Sequence, residues 1–316
     1  MENITPPYLK PGDTVGIIAP ARFVSHEDVN PAIRFLTARG FIVKTAPSLF
    51  AKHFQFAGSD SERASDFMEM VNDSNVKAIL CARGGYGTVR ILDRINLRKL
   101  QLKPKWIVGY SDITVLHSII TSWFGIETLH ATMPVNFPKN INDSESASSM
   151  VDVLMGRNPA YSIPHHPLNR KGTATGFLTG GNLSILASLI GTDADTSTQE
   201  RILFIEDVDE YLYHVDRMML QLKRAGKLKS IAGLVVGHFS EMKDNNIPFG
   251  LDAYQIISEA VKEYRIPVCF GFPAGHQDPN LPLIMGRKVQ LVVNSQGASL
   301  TFHESSSQAI LDTHGE

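Results

Sequence analysis

Three side chains in this sequence stand where an acyl-transfer site would need them. They are Ser111 in Gly109-Tyr-Ser-Asp112, Glu206 in Phe204-Ile-Glu-Asp207, and His276 in Gly275-His-Gln-Asp278. A serine hydroxyl becomes a useful nucleophile when a base takes its proton, and imidazole is the side chain suited to that near neutral pH. A carboxylate behind the imidazole would hold it in the working tautomer. A fourth part is the run Arg83-Gly-Gly-Tyr-Gly87. Backbone with so little side-chain cover can approach a ligand closely, and its consecutive N–H groups could form half of an oxyanion hole. The same run could also bind phosphate or be a bare tight turn. The sequence has no GxxxxGK[ST] and no GxGxxG after a first strand, which argues against a nucleotide.

Each of these residues also has a plainer role open to it. The apolar run Trp106-Ile-Val108 stops at Gly109, and Thr114 to Ile120 has helical spacing, so Ser111 could simply cap a helix. Alternatively, strand, turn and helix present the hydroxyl as an elbow does, beside a helix N-terminus. The usual elbow reads G-x-S-x-G, and here the last position is Ile113. Glu206 belongs to the cluster Glu206-Asp-Val-Asp-Glu210, which could be a solvated face or a set of hard metal ligands, although its spacing matches no calcium loop. Among the eleven histidines, His238 after Val236-Gly237 rivals His276 as a strand-end base. His117 lies one helical turn past the elbow, His130 follows a short apolar stretch, and His303 and His314 lie in the C-terminal tail. The other five (His26, His53, His165, His166 and His214) fall in loops or on polar faces.

The elements that must carry these residues alternate. Apolar runs at Thr14–Ala19, Phe41–Thr45, Val76–Cys81 and Trp106–Val108 read as buried strands. Between them the periodicity predicts helices through Val29–Leu36, through Ser59–Asn72 with Ala64, Phe67, Met68 and Val71 inward, and opening at Tyr86–Asp93. This alternation predicts an α/β fold with a parallel sheet and helices on both faces, and in such sheets ligands collect at the carboxyl ends of the strands. Ile141–Ser149 is a loop or the capped start of a helix reaching Leu154. Residues 158–174, with Pro164, Pro167 and the pair His165-His166, read as a linker between domains 1–157 and 175–316. The second half repeats the α/β pattern. Strands are expected at Thr175–Thr179, Arg201–Ile205, Ile231–Val236 and Pro267–Phe270, with helices over Leu183–Ile190, Tyr213–Leu222 and Tyr254–Tyr264. It closes on a hairpin of Lys288–Val293 and Ser299–Phe302.

The composition agrees with a soluble two-domain protein of 316 residues, 43% hydrophobic and 20% charged. A net charge of −2 offers no basic field for nucleic acid or a membrane surface. Cys81 and Cys269 form no CxxC pair, which fits a reducing compartment. The N-terminal residues show no signal-peptide pattern, so a cytoplasmic location is expected.

Taken as a set, Arg83-Gly-Gly-Tyr-Gly87, Gly109-Tyr-Ser-Asp-Ile-Thr114, Gly180-Gly-Asn-Leu183, Phe204-Ile-Glu-Asp-Val-Asp-Glu210 and Gly275-His276 resemble the motifs of the L,D-carboxypeptidases of serine peptidase family S66. The order agrees, from about Lys10 to Val293. The resemblance implies Ser111 as nucleophile, His276 as general base and Glu206 as the orienting acid, with backbone N–H groups of Gly85 and Asp112 as the oxyanion hole. It also implies a flavodoxin-like or amidotransferase-like N-terminal domain, a swivelling α/β C-terminal domain, and a site in the cleft between them. The substrate it implies is a small muropeptide, a murein tetrapeptide that loses its terminal D-alanine at an L,D bond during cell-wall recycling. It further implies a homodimer that works without metal or cofactor. Arg83, Gly84 and Tyr86 are the candidates to touch that substrate, and Arg83 is placed to meet its carboxylate or else to make a structural ion pair. Two alternatives stand beside this reading. One is an immunity-type hydrolase of peptidyl- or aminoacyl-nucleotide toxins; the other is a non-catalytic muropeptide-binding protein. Tyr211-Leu-Tyr-His214 departs from the family pattern, in which a proline follows the second acidic pair.

Overall fold

A computed structural model describes residues 3–138 and 144–304. The described residues divide into two compact units, 3–138 with 144–157 and 281–284, and 158–280 with 285–304.

The first unit is built on β1 (Thr14–Ile18), β2 (Ile42–Thr45), β3 (Val76–Cys81), β4 (Trp106–Gly109) and β5 (Thr128–His130). They lie in the order β2-β1-β3-β4-β5, all parallel, and the later strand Leu283–Met285 adds beside β5. That order is the flavodoxin-like one, with the strand sequence reversing direction between β1 and β3. Ile18 pairs with Cys81 and Leu80 with Val108, so the carboxyl ends of β1, β3 and β4 come level. The helices are α1 (His26–Ala38), α2 (Asp60–Asn72), the single turn α3 (Lys99–Leu102), α4 (Thr114–Phe124) and α5 (Glu145–Leu154). Ser25 with Asp28, and Ser59 with Glu62, form reciprocal capping boxes that fix where α1 and α2 begin. Met70, rather than Met68, joins Phe67 and Val71 on the buried face of α2. Tyr86–Asp93 does not open an α-helix; a 3-10 helix runs over Thr88–Arg94 instead. Ser144 caps α5, while the preceding 141–143 of the expected loop lie outside the described residues, as does His314.

The second unit carries β6 (Ala160–Pro164), β7 (Gly172–Asn182), β8 (Ile202–Val208), β9 (Gly233–Ser240) and β10 (Val268–Cys269). With β11 as the Leu283–Met285 strand of the first sheet, β12 (Lys288–Val293) and β13 (Gly297–Phe302) complete it. The order β10-β9-β8-β7-β12-β13-β6 is parallel through β7 and antiparallel beyond it. Helices α6 (Leu183–Leu189), α7 (Leu212–Arg224) and α8 (Ala253–Val261) accompany the parallel half. Val215, Met218, Met219 and Leu222 of α7 pack against Leu203, Ile205 and Val236 in a core that also holds Ile257 and Phe270. Burying each such side chain contributes about 1.5–3 kcal/mol.

One domain boundary differs from expectation. Residues 158–174 are no linker: they supply edge strand β6 and the start of β7. Pro164 is tolerated at the end of β6 because β6 is an edge strand whose one partner among the described residues is β13, and Pro167 lies in the turn beyond it. That partner comes late in the chain, so no local pattern reveals the pairing.

Candidate active site

In the first unit, β4 ends at Gly109, and Ser111 follows with φ +62°, a left-handed conformation that costs a non-glycine residue about 1–3 kcal/mol. This twist turns the serine out of the strand and leads through a 3-10 turn (Ser111–Ile113) directly into α4. Neither the 3-10 turn nor α4 has a side-chain cap, so Ser111 does not serve as a capping residue. The Gly-rich loop after β3 lies against it. A Cβ on Gly84 would stand 2.9 Å from Ser111 Cβ, 3.1 Å from its Oγ and 3.3 Å from the Asp112 nitrogen. Only a residue without a side chain lets these two backbones approach so closely.

Buried polar groups hold that pair of segments in place. Asp112 is 1% exposed, and its Oδ2 accepts from the Thr88 N–H at 2.8 Å, tying the serine turn to the end of the Gly-rich loop. Burial raises its carboxyl above the ordinary range, against the opposing pull of Thr88 and of the Arg63 guanidinium. Buried Arg63 donates to the carbonyls of Pro20 and of Gly87, the latter at 2.8 Å, so the loops after β1 and β3 share one guanidinium. His117 faces inward. Its Nε2 lies 2.8 Å from the Gly109 carbonyl and its Nδ1 2.8 Å from the Thr128 hydroxyl. Burial pushes its pKa down to about 4, outweighing the Gly109 bond, so the ring is neutral and braces the strand end. Arg83 is half-buried, while Gly85 and Tyr86 are exposed.

In the second unit, β8 runs through Glu206 and Asp207 rather than ending before them, and both are buried, at 0% and 2% exposed. Thus Glu206 and Asp207 are not part of a solvated face, while Asp209 is exposed, and the cluster diverges. Glu206 meets His276, Asp207 meets Asn182, Asp209 pairs with Lys243 at 2.5 Å, and Glu210 with His214 at 2.5 Å. Two successive carboxylates can be buried here because the β8–β9 register shifts between Ile205 and Asp207, a bulge that re-aims the side chains. Across β7, Asn182 stands in register with Glu206. Its amide donates to Asp207 Oδ1 at 2.9 Å and to Glu206 Oε1 at 3.4 Å, while its Oδ1 caps α6 through the Ile185 N–H. Asp207 also accepts from the Ser184 N–H at 2.9 Å, and burial together with the Glu206 charge pushes its pKa up to about 7.

His276 Nδ1 lies 2.6 Å from Glu206 Oε2. The loop that brings it there needs Gly275, where φ is +125° and a Cβ would stand 2.8 Å from the same carboxylate oxygen. Burial of the imidazole opposes its charge, but the Glu206 charge and hydrogen bond, helped by Asp207 and Glu241, prevail and raise its pKa above the ordinary histidine value. With Nδ1 donating to Glu206, Nε2 is the basic nitrogen. His238, the rival base, is placed differently. Its Nδ1 accepts from the Gln277 N–H at 3.3 Å, and its backbone N–H donates to Ala274, so it braces the loop on either side of His276. Burial lowers its pKa, which keeps Nδ1 an acceptor. The bracing role of His238 and the clamping role of Asn182 and Asp207 escape a reading of the sequence. The Gly180-Gly-Asn motif marked Asn182 without saying what it holds.

Residues 15–131 match the LD-carboxypeptidase N-terminal domain and residues 175–291 the LD-carboxypeptidase C-terminal domain, so Ser111 falls in the first match and Glu206 and His276 in the second. The chain belongs to the LD-carboxypeptidase family, peptidase family S66, and is a carboxypeptidase, a hydrolase of the peptide bond. It is 36% identical over 293 residues to a probable murein peptide carboxypeptidase of Bacillus subtilis, covering 92% of each chain. The crystal structure of a muramoyltetrapeptide carboxypeptidase from Oxalobacter formigenes is similar at 31% identity and a TM-score of 0.82, covering 92% of this chain and 99% of that one. The microcin C7 self immunity protein MccF, in complex with aspartyl sulfamoyl adenosine, shares the fold at 22% identity and a TM-score of 0.81, over 93% and 97% of the chains. No helix among the described residues is long and apolar enough to cross a membrane.

Proposed function

We propose that this carboxypeptidase is of the serine type and releases the terminal D-alanine of murein tetrapeptides by cutting an L,D amide bond, in the cytoplasm, during cell-wall recycling. The observation that carries the mechanism is the fully buried Glu206 carboxylate 2.6 Å from His276 Nδ1. A buried acid that fixes a histidine tautomer is what a general base for a hydroxyl nucleophile requires. Ser111 Oγ attacks the amide carbonyl while His276 Nε2 takes its proton. The backbone N–H groups of Gly85 and Asp112 receive the oxyanion. His276 then returns the proton to the departing amine of D-alanine, leaving an acyl-serine. Water, activated by the same imidazole, attacks the acyl carbon and frees the enzyme. The murein substrate is supported by what the Bacillus and Oxalobacter proteins are said to act on.

The test is to incubate the purified protein with a murein tetrapeptide and with an acyl-adenylate analogue and to follow both by mass spectrometry. Release of D-alanine by the wild type is expected, with Ser111→Ala lowering turnover at least roughly 10³-fold while binding persists. Cleavage of the acyl-adenylate alone would favour the immunity-type reading, which rests on the fold shared with MccF. Peptide binding without any hydrolysis would favour a muropeptide-binding protein.

A further inference from the structure

The residue that leaves in a carboxypeptidase reaction carries a free carboxylate two bonds beyond the amide nitrogen. Selecting a chain end therefore requires a cationic partner for that carboxylate close to the nucleophile. In the first unit the strand order reverses between β1 and β3, and in open parallel sheets ligands bind outside the carboxyl ends of the strands at such a reversal. Arg22 lies there. It follows β1, and its backbone N–H donates to the Gly84 carbonyl at 3.4 Å, which fastens its Cα to the Gly-rich loop. Its side chain then runs over that loop. A Cβ on Gly85 would stand 2.6 Å from Arg22 Cδ and 2.8 Å from Nε. The neighbouring Gly84 is the residue pressed against Ser111, and adjacent Cα atoms are about 3.8 Å apart, so one turn of loop separates the guanidinium stem from the nucleophile.

Arg22 also differs from two neighbouring arginines of this corner, Arg63 and Arg90. Arg63 and Arg90 both pair with Asp60, and Arg63 is buried. Arg22 is exposed and makes no ion pair among the described residues. An arginine held at its base, laid over a glycine loop and without a carboxylate of its own is suited to take one from a ligand in bidentate fashion. The geometry points to Arg22, whose stem is laid over Gly85 beside the residue that touches Ser111, as the residue that reads the free C-terminal carboxylate of the substrate. This rests on the peptidase reading above, since it names the group that makes the site select a chain end.

The experiment compares kcat/KM for a tetrapeptide ending in free D-alanine with that for the same peptide ending in D-alanine amide, in wild type, Arg22→Gln, Arg22→Lys and Arg83→Gln. Ser111→Ala combined with Arg22→Gln supplies the binding constants for both peptides without turnover. The wild type should prefer the free acid by on the order of 10²-fold. In Arg22→Gln that preference should fall below about tenfold, with the loss on the free acid, and Arg22→Lys should keep an intermediate preference because it supplies charge without the fork. Arg83→Gln should retain the preference. An unchanged ratio in Arg22→Gln, an equal loss on both peptides, or a ratio that collapses only in Arg83→Gln would overturn the assignment and leave the peptidase reading standing. A wild type that cleaves neither peptide would overturn the peptidase reading, and the role of Arg22 with it.

Discussion

The first unit makes its candidate site from backbone, and the second makes its own from side chains. Around Ser111 the determining features are a left-handed φ, a glycine pressed against the serine, and buried polar groups that act on N–H and carbonyl groups. Around His276 they are a carboxylate, a second carboxylate and an amide, linked through hydrogen bonds behind the imidazole. The two designs are vulnerable to different changes. A backbone site tolerates altered side-chain chemistry nearby but not an added atom. A side-chain network tolerates little loss of charge or hydrogen-bonding, even when shape is kept.

The largest effect short of removing the nucleophile should come from Glu206→Gln. The amide has nearly the same shape and can still accept from His276 Nδ1, but it carries no charge. Loss of the charge should lower kcat by on the order of 10³-fold, because the imidazolium that forms on attack is no longer stabilised. It should also move the acid limb of the kcat/KM profile. His276 must be neutral to act as base, so activity falls as pH drops through its pKa, and Glu206 holds that pKa above the ordinary value. In the variant the limb should shift to lower pH while the maximum falls. A limb that stays in place would break the link between this pair and catalysis.

Gly84→Ala addresses the backbone design and should have the next largest effect. Its added Cβ would meet Ser111 Cβ at 2.9 Å and Oγ at 3.1 Å, so the serine turn or the loop must shift. Displacements of this size at a nucleophile cost on the order of 10²-fold in rate, and overpacking should cost about 1–3 kcal/mol of stability. The expected result is a folded protein by circular dichroism with kcat reduced. Full activity in Gly84→Ala would show that the close approach is not required.

What the sequence shows of this molecule divides along similar lines. The apolar periodicity through Val29–Leu36 and Ser59–Asn72 marks α1 and α2, and the apolar face of α7 follows helical spacing as expected. Ser111, Glu206 and His276 stand out because each sits in a short motif beside glycine or at an apolar run. What is not legible is set by contacts distant in sequence. The bulge that buries both Glu206 and Asp207 arises from register against β9, so the local run of acids looks solvated. Among the described residues, strand β6 pairs only with β13, which makes residues 158–174 look like a crossing between domains. Arg22 shows no motif at all; it matters because β1 and β3 are neighbours in the sheet and end level with one another.

The smallest effect concerns stability rather than rate, and it sets one histidine in each unit against the other. His117 is buried neutral, its pKa pushed down to about 4, whereas an unfolded histidine titrates near the ordinary value of 6.5. Below that value the unfolded chain binds the proton more readily, so the stability His117 allows at neutral pH is lost as pH falls toward 4. At pH 5 the loss is about 2 kcal/mol, since each pKa unit corresponds to about 1.4 kcal/mol. His276 has the opposite sign. Its raised pKa gives stability that is fully present below the unfolded value and lost as pH rises through the folded one. Asp207, pushed up to about 7, acts in the same direction as His276, because its folded form accepts a proton more readily than an unfolded aspartate does. Acidification from pH 7 to pH 5 should therefore loosen α4, which carries His117, while α7 in the other unit keeps its protection. Amide exchange corrected to protection factors measures this element by element. His117→Gln, which retains a donor for the Gly109 carbonyl but cannot titrate, should abolish the acid sensitivity of α4. Equal loss of protection in α4 and α7, or an unchanged slope in His117→Gln, would mean that the two units do not differ in the way their buried histidines imply.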